Sequence, residues 1–473
     1  MRAFDNIYIN GKWVASAGSG TLEVTNSATE EVIATVPNGA AADVDAAVAA
    51  AKAAFPAWSE LPKEERAAYL MKIHAGLEAR TDEIAQTIAQ EVGMPLMLSK
   101  MIQAGLPKAN FAIAAQLLGS YEFESQVGNS LVVREPIGVV GCITPWNYPL
   151  HQIAAKVAYA IAAGCTVVLK PDIKTPLSAL ALAALAERAG FPAGVFNVVT
   201  GHHTEIGAEM TSNPMIRKLT FTGSTKTGKL LIKQCADTVK KVSMELGGNA
   251  PFIVFDDADL AAAVDGAMAS KYRNSGQTCV CANRVLVQDG IYDAFAEAFA
   301  KRVAALVVGN GLDEGVQQGP LIDKNAVAKV EAHLADAVAK GAKVLVGGNR
   351  HKLGGTFFEP TVLGGAQPSM ILAREETFGP VAPLFRFNTE AEAIQMANDT
   401  EFGLAAYFYA KDSARIHRVS EALEYGIVGV NTGIISTEVA PFGGVKESGI
   451  GREGSRHGID EFLEMKYVCE GGL

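Results

Sequence analysis

The sequence predicts an α/β protein built from parallel sheets in two domains, with a small β element appended to them. Short apolar runs rich in β-branched residues alternate with helical patterns, which is typical of a parallel sheet covered by helices on both faces. The 473-residue chain is 49% hydrophobic and 19% charged, which supplies enough apolar material for strands buried on both faces. No internal repeat or low-complexity linker interrupts this pattern.

The first expected elements are helices. Residues 42–58 and 63–92 are rich in alanine and charged residues, and their apolar residues recur at spacings near the helical period. From residue 137 onward, apolar runs predict strands, and amphipathic repeats between them predict helices. These strands are expected at 137–143, 166–170, 195–200 and 218–222, and the helices at 150–163 and 176–190.

A second α/β stretch follows residue 245 and continues to about residue 430. Within it, a helix at 259–273 leads into a loop at 274–281. The stretch 121–135 is expected to be an extended segment that projects from the first domain. The C-terminal residues 461–473 are expected to be its strand partner, either within the chain or across a subunit boundary.

The composition disfavours several classes of protein. The net charge of −10 argues against a nucleic-acid surface, because binding phosphates needs clustered Lys and Arg. No apolar run approaches the ~18 residues of a membrane-spanning helix, and Met1–Asn10 lacks the pattern of a secretion signal. Six cysteines in this length form neither a disulfide scaffold nor a metal-ligand pattern. We therefore expect a cytoplasmic protein without a metal site.

Cys279 is a candidate nucleophile. It lies in GQTCVC (276–281), where Gly276 permits tight backbone geometry after the predicted helix. A nucleophilic cysteine needs a lowered pKa or a nearby base, together with donors for the oxyanion that it creates. A cysteine in a glycine-containing loop is more often structural, so the motif alone leaves both interpretations open.

Glu245 and Asn147 are candidates for two supporting roles. Glu245 lies in MELGGNAP (244–251), where a carboxylate beside two glycines has room to move and suits a base that activates water. The alternative is a surface glutamate before a turn. Asn147 lies in PWNYP (145–149), where its amide suits an oxyanion hole but equally suits a helix N-cap.

The stretch FTGSTKTG (221–228) is a candidate phosphate-binding turn. It follows a predicted strand and opens a helix, and such a helix N-terminus attracts phosphate. Its glycines and hydroxyls match neither the GxGxxG fingerprint nor the full P-loop pattern, so the motif is weak by itself.

Together these motifs resemble those of the aldehyde dehydrogenase superfamily, in the same order and at matching spacings over almost the whole chain. They are PWNYP at 145, KP at 170, FTGST at 221, ELGG at 245, GQTC at 276, EETFGP at 375 and PFGGVKESGIGRE at 441. From about residue 175 to the end, the chain looks most like bacterial succinate-semialdehyde dehydrogenases. Residues 1–170 look more like broad-specificity or betaine-type members.

The resemblance implies a Rossmann-like domain that binds NAD(P), a catalytic domain and a small oligomerisation element. The corresponding residues would be 1–120 with 136–245, then 246–440, and finally 121–135 with 456–473. A homodimer or homotetramer acting on a small aldehyde would follow, with no nucleic-acid or membrane partner.

The resemblance also implies roles for single residues. Cys279 would attack the aldehyde, and Glu245 would activate the water that releases the acid. The Asn147 amide and the backbone N–H of Cys279 would hold the oxyanion, while Lys156 would relay protons. The residues that would bind the cofactor, NAD or NADP, are Ile143, Thr144, Trp146, Lys170, Gly223, Ser224, Gly228, Glu376 and Phe378.

The chain departs from the common pattern just after Lys170. Many NAD-preferring members carry Glu three residues later, where this chain has Ile173. The missing carboxylate removes repulsion against a 2′-phosphate, so we expect use of both cofactors with a preference for NADP+. Asp172 complicates this expectation because it could point into the same pocket.

For the substrate, the resemblance points to succinate semialdehyde or a similar semialdehyde. Arg273 and Ser436 match positions that hold the remote carboxylate, although Arg273 could instead form a structural ion pair at a helix end. A second arginine usually precedes the lysine that matches Lys156, but here that residue is Ala155. We therefore expect a more apolar pocket near the helix at 150–163. The alternative is a broad-specificity or betaine-type enzyme that acts on neutral or amino aldehydes.

Two further functions are compatible with such a fold. An acylating dehydrogenase would pass the acyl group to coenzyme A, but those relatives generally lack the base that matches Glu245. A catalytically silent binding protein is disfavoured because Asn147, Glu245 and Cys279 are all present.

Overall fold

Two helix-covered sheets make up most of the computed structural model, which describes residues 2–471. Residue 1 and residues 472–473, the last two of the expected C-terminal strand segment, lie outside the described residues. The strands are β1 Arg2–Ala3, β2 Asn6–Ile9, β3 Lys12–Ala15, β4 Thr21–Thr25, β5 Val32–Pro37, β6 Glu124–Val127, β7 Ser130–Pro136, β8 Val139–Ile143, β9 Thr166–Lys170, β10 Phe196–Val198, β11 Ile216–Thr222, β12 Lys241–Glu245, β13 Pro251–Val254, β14 Arg284–Gln288, β15 Lys343–Val346, β16 Thr361–Gly364, β17 Val381–Phe387, β18 Phe402–Gly403, β19 Ala405–Tyr409, β20 Ile427–Val430, β21 Val445–Lys446, β22 Gly449–Ile450 and β23 Leu463–Cys469.

The α-helices follow the same chain order. They are α1 Ala41–Ser59, α2 Lys63–Ala79, α3 Thr81–Val92, α4 Leu96–Leu98, α5 Gly105–Ser120, α6 Pro149–Ala163, α7 Leu177–Arg188, α8 His203–Ser212, α9 Thr225–Cys235, α10 Leu260–Lys271, α11 Asp289–Ala304, α12 Lys324–Ala339, α13 Ile371–Arg374, α14 Glu390–Asn398, α15 Ser413–Ala422 and α16 Ser455–Asp460. A π-helix spans Ser99–Ala104, and 3₁₀ turns span Ala236–Thr238 and Arg273–Gly276.

The first sheet has eight strands in the order β22-β12-β11-β8-β9-β10-β2-β3. The strands from β12 to β10 run parallel, and antiparallel strands complete both edges. β8 and β9 are buried along their whole lengths, as strands between two helix layers must be. The loops after β8, β9, β11 and β12 meet at one edge, where ligands of open parallel sheets bind.

The second sheet has seven strands in the order β15-β16-β17-β14-β13-β19-β20, and all except β15 run parallel. Apolar clusters cover both of its faces. Successive residues of β13 alternate between them, with Phe252 and Val254 in one cluster and Ile253 in the other. These two sheets confirm the predicted fold class.

The C-terminal strand pairs as expected. β23 runs antiparallel to β7 within the same chain, from Leu463 opposite Pro136 to Cys469 opposite Ser130. Just before it, the two-residue strand β22 pairs with the end of β12, so that Gly449 lies opposite Glu245. This return brings the PFGGVKESGIGRE segment to the carboxyl edge of the first sheet, which the sequence did not indicate.

Two helices differ from their predictions. The helical stretch 63–92 is broken at Arg80, whose backbone leaves the helical conformation. Thr81 and Asp82 follow it, and such residues favour a new helix start over a helix interior. The helix expected at 259–273 ends at Lys271. Among the described residues, none of the helices combines the length and apolar content needed to span a bilayer. The predicted domain bounds stay predictions.

Candidate active site

The candidate residues converge where the carboxyl edge of the first sheet faces the loop at 274–281. Asn147 follows β8 and Glu245 ends β12, while Cys279 lies in the turn between the 3₁₀ segment and β14. Both Asn147 and Glu245 are buried, and Cys279 is partly buried. Three motifs that are far apart in sequence therefore meet at one place.

The backbone before Cys279 is unusual. Asn274, Ser275 and Gly276 all have positive φ angles, of 51°, 57° and 77°. A Cβ at Gly276 would lie 2.1 Å from the carbonyl oxygen of Gly379, so only glycine fits there. The Asn274 amide donates to the carbonyl oxygen of Gln277 at 3.2 Å and holds the turn. This rigid turn fixes where the Cys279 side chain can point.

The two glycines after Glu245 bring that segment close to the cysteine loop. A Cβ at Gly248 would lie 2.5 Å from the carbonyl oxygen of Cys279, and a Cβ at Gly247 would lie 3.3 Å from Glu376 Oε2. The glycines of ELGG therefore allow the backbone after Glu245 to lie close to the cysteine loop.

Two cavities meet at Cys279. One, of about 280 Å³, extends towards Trp146 and Glu376. The other, of about 480 Å³, extends towards Arg273 and Ser436. Cys279 lines both, so a ligand in either cavity can contact this residue. This is the geometry that a group-transfer reaction between two bound molecules needs.

The Cys279 thiol is not activated in the way that a lowered pKa would provide. Burial, followed by the charges of Glu376, Glu245 and Cys281, raises its pKa, and Arg273 opposes this only in part. A nucleophilic cysteine needs either a lowered pKa or a nearby base, and Cys279 therefore needs the nearby base. The proton of the thiol has to be accepted by another group before the sulfur can attack.

Asn147 is not a helix N-cap. The N-cap position of α6 is held by Tyr148, so the alternative interpretation of Asn147 is wrong. One N–H of the Asn147 amide donates to the carbonyl oxygen of Gln277 at 3.1 Å. Within residues 2–471, its second N–H and the backbone N–H of Cys279 have no hydrogen-bond partner. Two free donors near the thiol are what an oxyanion hole requires.

The main chain of Asn147 is held by two side chains that the sequence did not single out. Gln103, in the π-helix, and Asn274 donate to its carbonyl oxygen at 2.8 and 3.2 Å. π-Helical turns often occur at functional sites, but that irregularity is visible only in the structure.

Glu245 is enclosed, so the interpretation as a surface glutamate is wrong. Both carboxylate oxygens are buried and have no hydrogen-bond partner among the described residues. Burial, and then the charge of Glu453, raises its pKa well above the ordinary range, while Lys156 and Arg452 act in the opposite direction. A buried carboxylate whose pKa is raised is a stronger proton acceptor than an ordinary glutamate, which suits a base in catalysis.

Lys156 lies in a buried polar group behind Glu245. Its ammonium donates to Thr222 Oγ1 at 2.7 Å and forms an ion pair with Glu453. Glu453 is the last residue of the GRE stretch in the PFGGVKESGIGRE motif, and the sequence analysis did not assign it a role. The sequence alone does not show that Glu453 pairs with the buried Lys156, because this pairing depends on the return of β22 to the first sheet.

The smaller cavity suits the nicotinamide half of a dinucleotide. Trp146 and Phe378 form an apolar wall, with ring centroids 5.7 Å apart and nearly perpendicular planes. Glu376 accepts from the backbone N–H of Gly248 at 3.3 Å with one oxygen only, which leaves the other for a ribose hydroxyl. Burial raises the pKa of Glu376 to about 7, against the lowering effect of Lys329.

Residues beside this cavity suit phosphate. Gly223 and Ser224 line it, and Ser224 is the N-cap of the 11-residue helix α9. Lys329 also lines it, from α12, and adds a positive charge that the sequence analysis missed because it belongs to no recognised motif.

The other predicted cofactor residues do not line this cavity. Ile143, Thr144 and Lys170 lie in or just after β8 and β9. A Cβ at Gly228 would lie 2.4 Å from Leu246 Cδ2, so this glycine allows helix packing. Their roles as ligand contacts stay predictions.

Both charged residues at the end of β9 and just after it form local hydrogen bonds. The Asp172 carboxylate accepts from the backbone N–H of Lys174 at 2.9 Å, so it is engaged in a local turn. The Lys170 ammonium donates to the Pro171 carbonyl oxygen at 3.1 Å, and burial lowers its pKa.

The larger cavity holds both predicted substrate residues. Arg273 and Ser436 line it, together with Tyr148 and Phe442. The Nε and Nη2 atoms of Arg273 are buried and have no hydrogen-bond partner, and none of the ion pairs among residues 2–471 includes Arg273. The alternative of a structural ion pair at a helix end is therefore wrong. An unpaired guanidinium in a cavity suits an anionic ligand group.

Because Ala155 stands where an arginine is usual, the sequence predicted an apolar pocket beside α6. The α6 side of this cavity is more polar than that prediction. Ala155 does not line the cavity, whereas His151 and Gln152 do. Both have a buried polar atom that finds no hydrogen-bond partner in the described part of the chain.

The chain is similar to known proteins over almost its whole length. Residues 13–468 match the model of the aldehyde dehydrogenase family. The chain is 55% identical to a glutarate-semialdehyde dehydrogenase of Pseudomonas aeruginosa, over 98% of this chain and 97% of that protein. It is 54% identical to an NADP(+) succinate-semialdehyde dehydrogenase of Escherichia coli, with the same coverage. A crystal structure of succinate-semialdehyde dehydrogenase from Burkholderia pseudomallei is similar with a TM-score of 0.97 and 53% identity, covering 99% of this chain and 98% of that one.

Proposed function

The chain belongs to the aldehyde dehydrogenase family, and from that premise we propose that it oxidises a semialdehyde to the dicarboxylic acid with NAD(P)+. The observation that carries this proposal is the position of Cys279 at the junction of two cavities. One suits a nicotinamide nucleotide, and the other holds an unpaired arginine. The names of the relatives, which are semialdehyde dehydrogenases, support the same substrate class.

In the first half of the reaction, the sulfur of Cys279 bonds to the aldehyde carbon, and the carbonyl oxygen takes up the electron pair. Glu245 accepts the thiol proton, because the raised pKa of the thiol requires a base. The free N–H groups of Asn147 and Cys279 stabilise the oxyanion. NAD(P)+, which Trp146, Glu376 and Phe378 would hold, would supply the hydride acceptor, and loss of hydride from the former aldehyde carbon would leave a thioester on Cys279.

In the second half, Glu245 takes a proton from water, whose oxygen bonds to the thioester carbon. The carbon–sulfur bond breaks, so that the acid leaves and Cys279 is regenerated as a thiolate. The buried Lys156–Glu453 pair lies beside Glu245 and is placed to pass its proton onward. The presence of this enclosed base favours hydrolysis over transfer to coenzyme A. Repeated turnover without coenzyme A tests that choice directly.

For the cofactor, we predict that both NADP+ and NAD+ are used, with higher kcat/KM for NADP+. Ile173 places no carboxylate against a 2′-phosphate, and Asp172 is held in its own turn. Ile173→Glu is expected to lower kcat/KM for NADP+ by at least about tenfold through charge repulsion while sparing NAD+. Steady-state kinetics with both cofactors provide the measurement. A preference of the parent enzyme for NAD+ above about a hundredfold, or ~2.7 kcal/mol, would contradict the prediction.

For the substrate, we predict higher kcat/KM for succinate semialdehyde than for butyraldehyde, which has the same length but no charge. Arg273→Leu is expected to lower kcat/KM for the semialdehyde by about ten- to a hundredfold, because charge-assisted hydrogen bonds are lost. Ser436→Ala is the matched control and should have a smaller effect. An equal loss for both substrates would favour a broad-specificity or betaine-type enzyme instead.

We propose that the edge of the small sheet formed by β23 is the oligomerisation surface of a homodimer or homotetramer. Met465 and Tyr467 are 75% and 64% exposed on this strand, which is unusual for large apolar side chains. We also propose a cytoplasmic location for the protein, as expected from the sequence.

A further inference from the structure

One residue in the larger cavity has no role in the function proposed above. His151 lies in the first turn of α6 and lines the cavity together with Arg273 and Cys279. Its Nδ1 atom is buried and has no hydrogen-bond partner within residues 2–471. The Tyr148 ring lies edge-on to the imidazole, with centroids 6.5 Å apart. Burial, and then the charge of Lys156, lowers the pKa of His151 to about 4, so the ring is neutral near pH 7.

The surroundings of the ring determine which nitrogen carries the proton. A neutral imidazole has one N–H, and a buried N–H without an acceptor is costly. Because Nδ1 is enclosed without a partner among the described residues, the proton is better placed on Nε2, so that the ring offers a donor to the cavity. Arg273 contributes further N–H groups, at Nε and Nη2, that have no partner among residues 2–471. A ligand that only accepts hydrogen bonds, such as a carboxylate, matches this donor set.

We propose that His151 is a specificity-determining residue that binds the remote carboxylate of the substrate beside Arg273. His151 lies four residues before Ala155 on the same helix face, one turn closer to the N-terminus of α6. It provides a neutral donor on the helix where no arginine is present. This inference rests on the proposed semialdehyde dehydrogenase function and specifies how that substrate class is recognised.

The test compares His151→Phe with His151→Gln, which keeps a neutral donor. For His151→Phe, KM for succinate semialdehyde should rise about tenfold or more, since a hydrogen bond to a charged group is lost, while kcat changes little. KM for butyraldehyde should stay the same or fall. His151→Gln should remain close to the parent enzyme for both substrates.

A binding measurement separates recognition from turnover. In the Cys279→Ala background, calorimetric titration with succinate semialdehyde should show weaker binding when His151→Phe is added, by the same factor as the rise in KM. His151→Leu serves as a second variant without a donor in case the phenylalanine variant does not fold.

The outcomes distinguish the two proposals. If the parent enzyme does not favour succinate semialdehyde over butyraldehyde, the semialdehyde function itself fails. If the parent does favour it and the non-donor variants keep the same preference, only the role of His151 is overturned. An equal rise in KM for both substrates would also overturn it, because that result indicates general damage to the cavity.

Discussion

Replacing Cys279 by alanine is expected to lower kcat for aldehyde oxidation by at least about a thousandfold, because the thiol that forms the covalent intermediate is lost. The side chain is partly buried at the junction of the two cavities, and the smaller residue should be accommodated without loss of the fold. The effect is measured as the rate of NADPH formation, monitored by absorbance, with succinate semialdehyde as the substrate.

The matched control is Cys281→Ala, two residues further along the same loop. Cys281 is buried and lines neither cavity, so its variant should keep most of the activity. Equilibrium binding of NADP+ to Cys279→Ala should be close to that of the parent enzyme. Full activity of Cys279→Ala, or equal losses in both variants, would remove Cys279 from its role as the nucleophile.

Replacing Glu245 by glutamine is expected to produce a burst of NADPH followed by a steady state that is slower by about 10²–10⁴-fold, the usual contribution of a general base. The burst should also be slower than in the parent enzyme, because Glu245 accepts the thiol proton, but hydrolysis should be slowed more. It should still approach one equivalent per active site, with hydroxide accepting the thiol proton. Its rate reports that step separately. Stopped-flow absorbance resolves the two phases. A steady-state rate equal to that of the parent enzyme would show that another group activates water.

The pH profile gives an independent test of Glu245. Burial and the charge of Glu453 raise its pKa, so Glu245 holds a proton at low pH and becomes a base only as the pH rises through that raised pKa. In the parent enzyme, kcat should therefore increase with pH over this range when deacylation limits turnover. The glutamine variant should lack this limb. Persistence of the same limb in the variant would assign it to another group, such as the Cys279 thiol.

The sequence predicted the fold class and the main motifs because both depend on local patterns. The apolar runs that predicted β8 and β9 are strands buried along their whole lengths. The glycine and asparagine positions around Cys279 and Asn147 lie within short motifs, so their proximity followed from the family resemblance. The bends at Arg80 and after Lys271 were missed, because a helical repeat does not show where one helix ends and the next begins.

The residues that the sequence analysis missed act across long distances. Glu453 reaches Lys156 only because β22 returns to the first sheet. Lys329 reaches the cofactor side from a helix of the second sheet, and Gln103 reaches Asn147 from a π-helix. None of these contacts has a local sequence pattern. The sequence also left open whether Cys279 has a lowered pKa or a nearby base, because burial and neighbouring carboxylates are properties of the folded chain.

The central claim is that Cys279 carries the acyl group between oxidation and hydrolysis. Mass spectrometry of the Glu245→Gln variant, quenched in acid after mixing with NADP+ and succinate semialdehyde, tests this most directly. We expect a mass increase equal to one succinyl group on the peptide that contains Cys279, and fragmentation should place it on Cys279 and not on Cys281. An unmodified peptide during steady turnover, or a succinyl group on another residue, would contradict it.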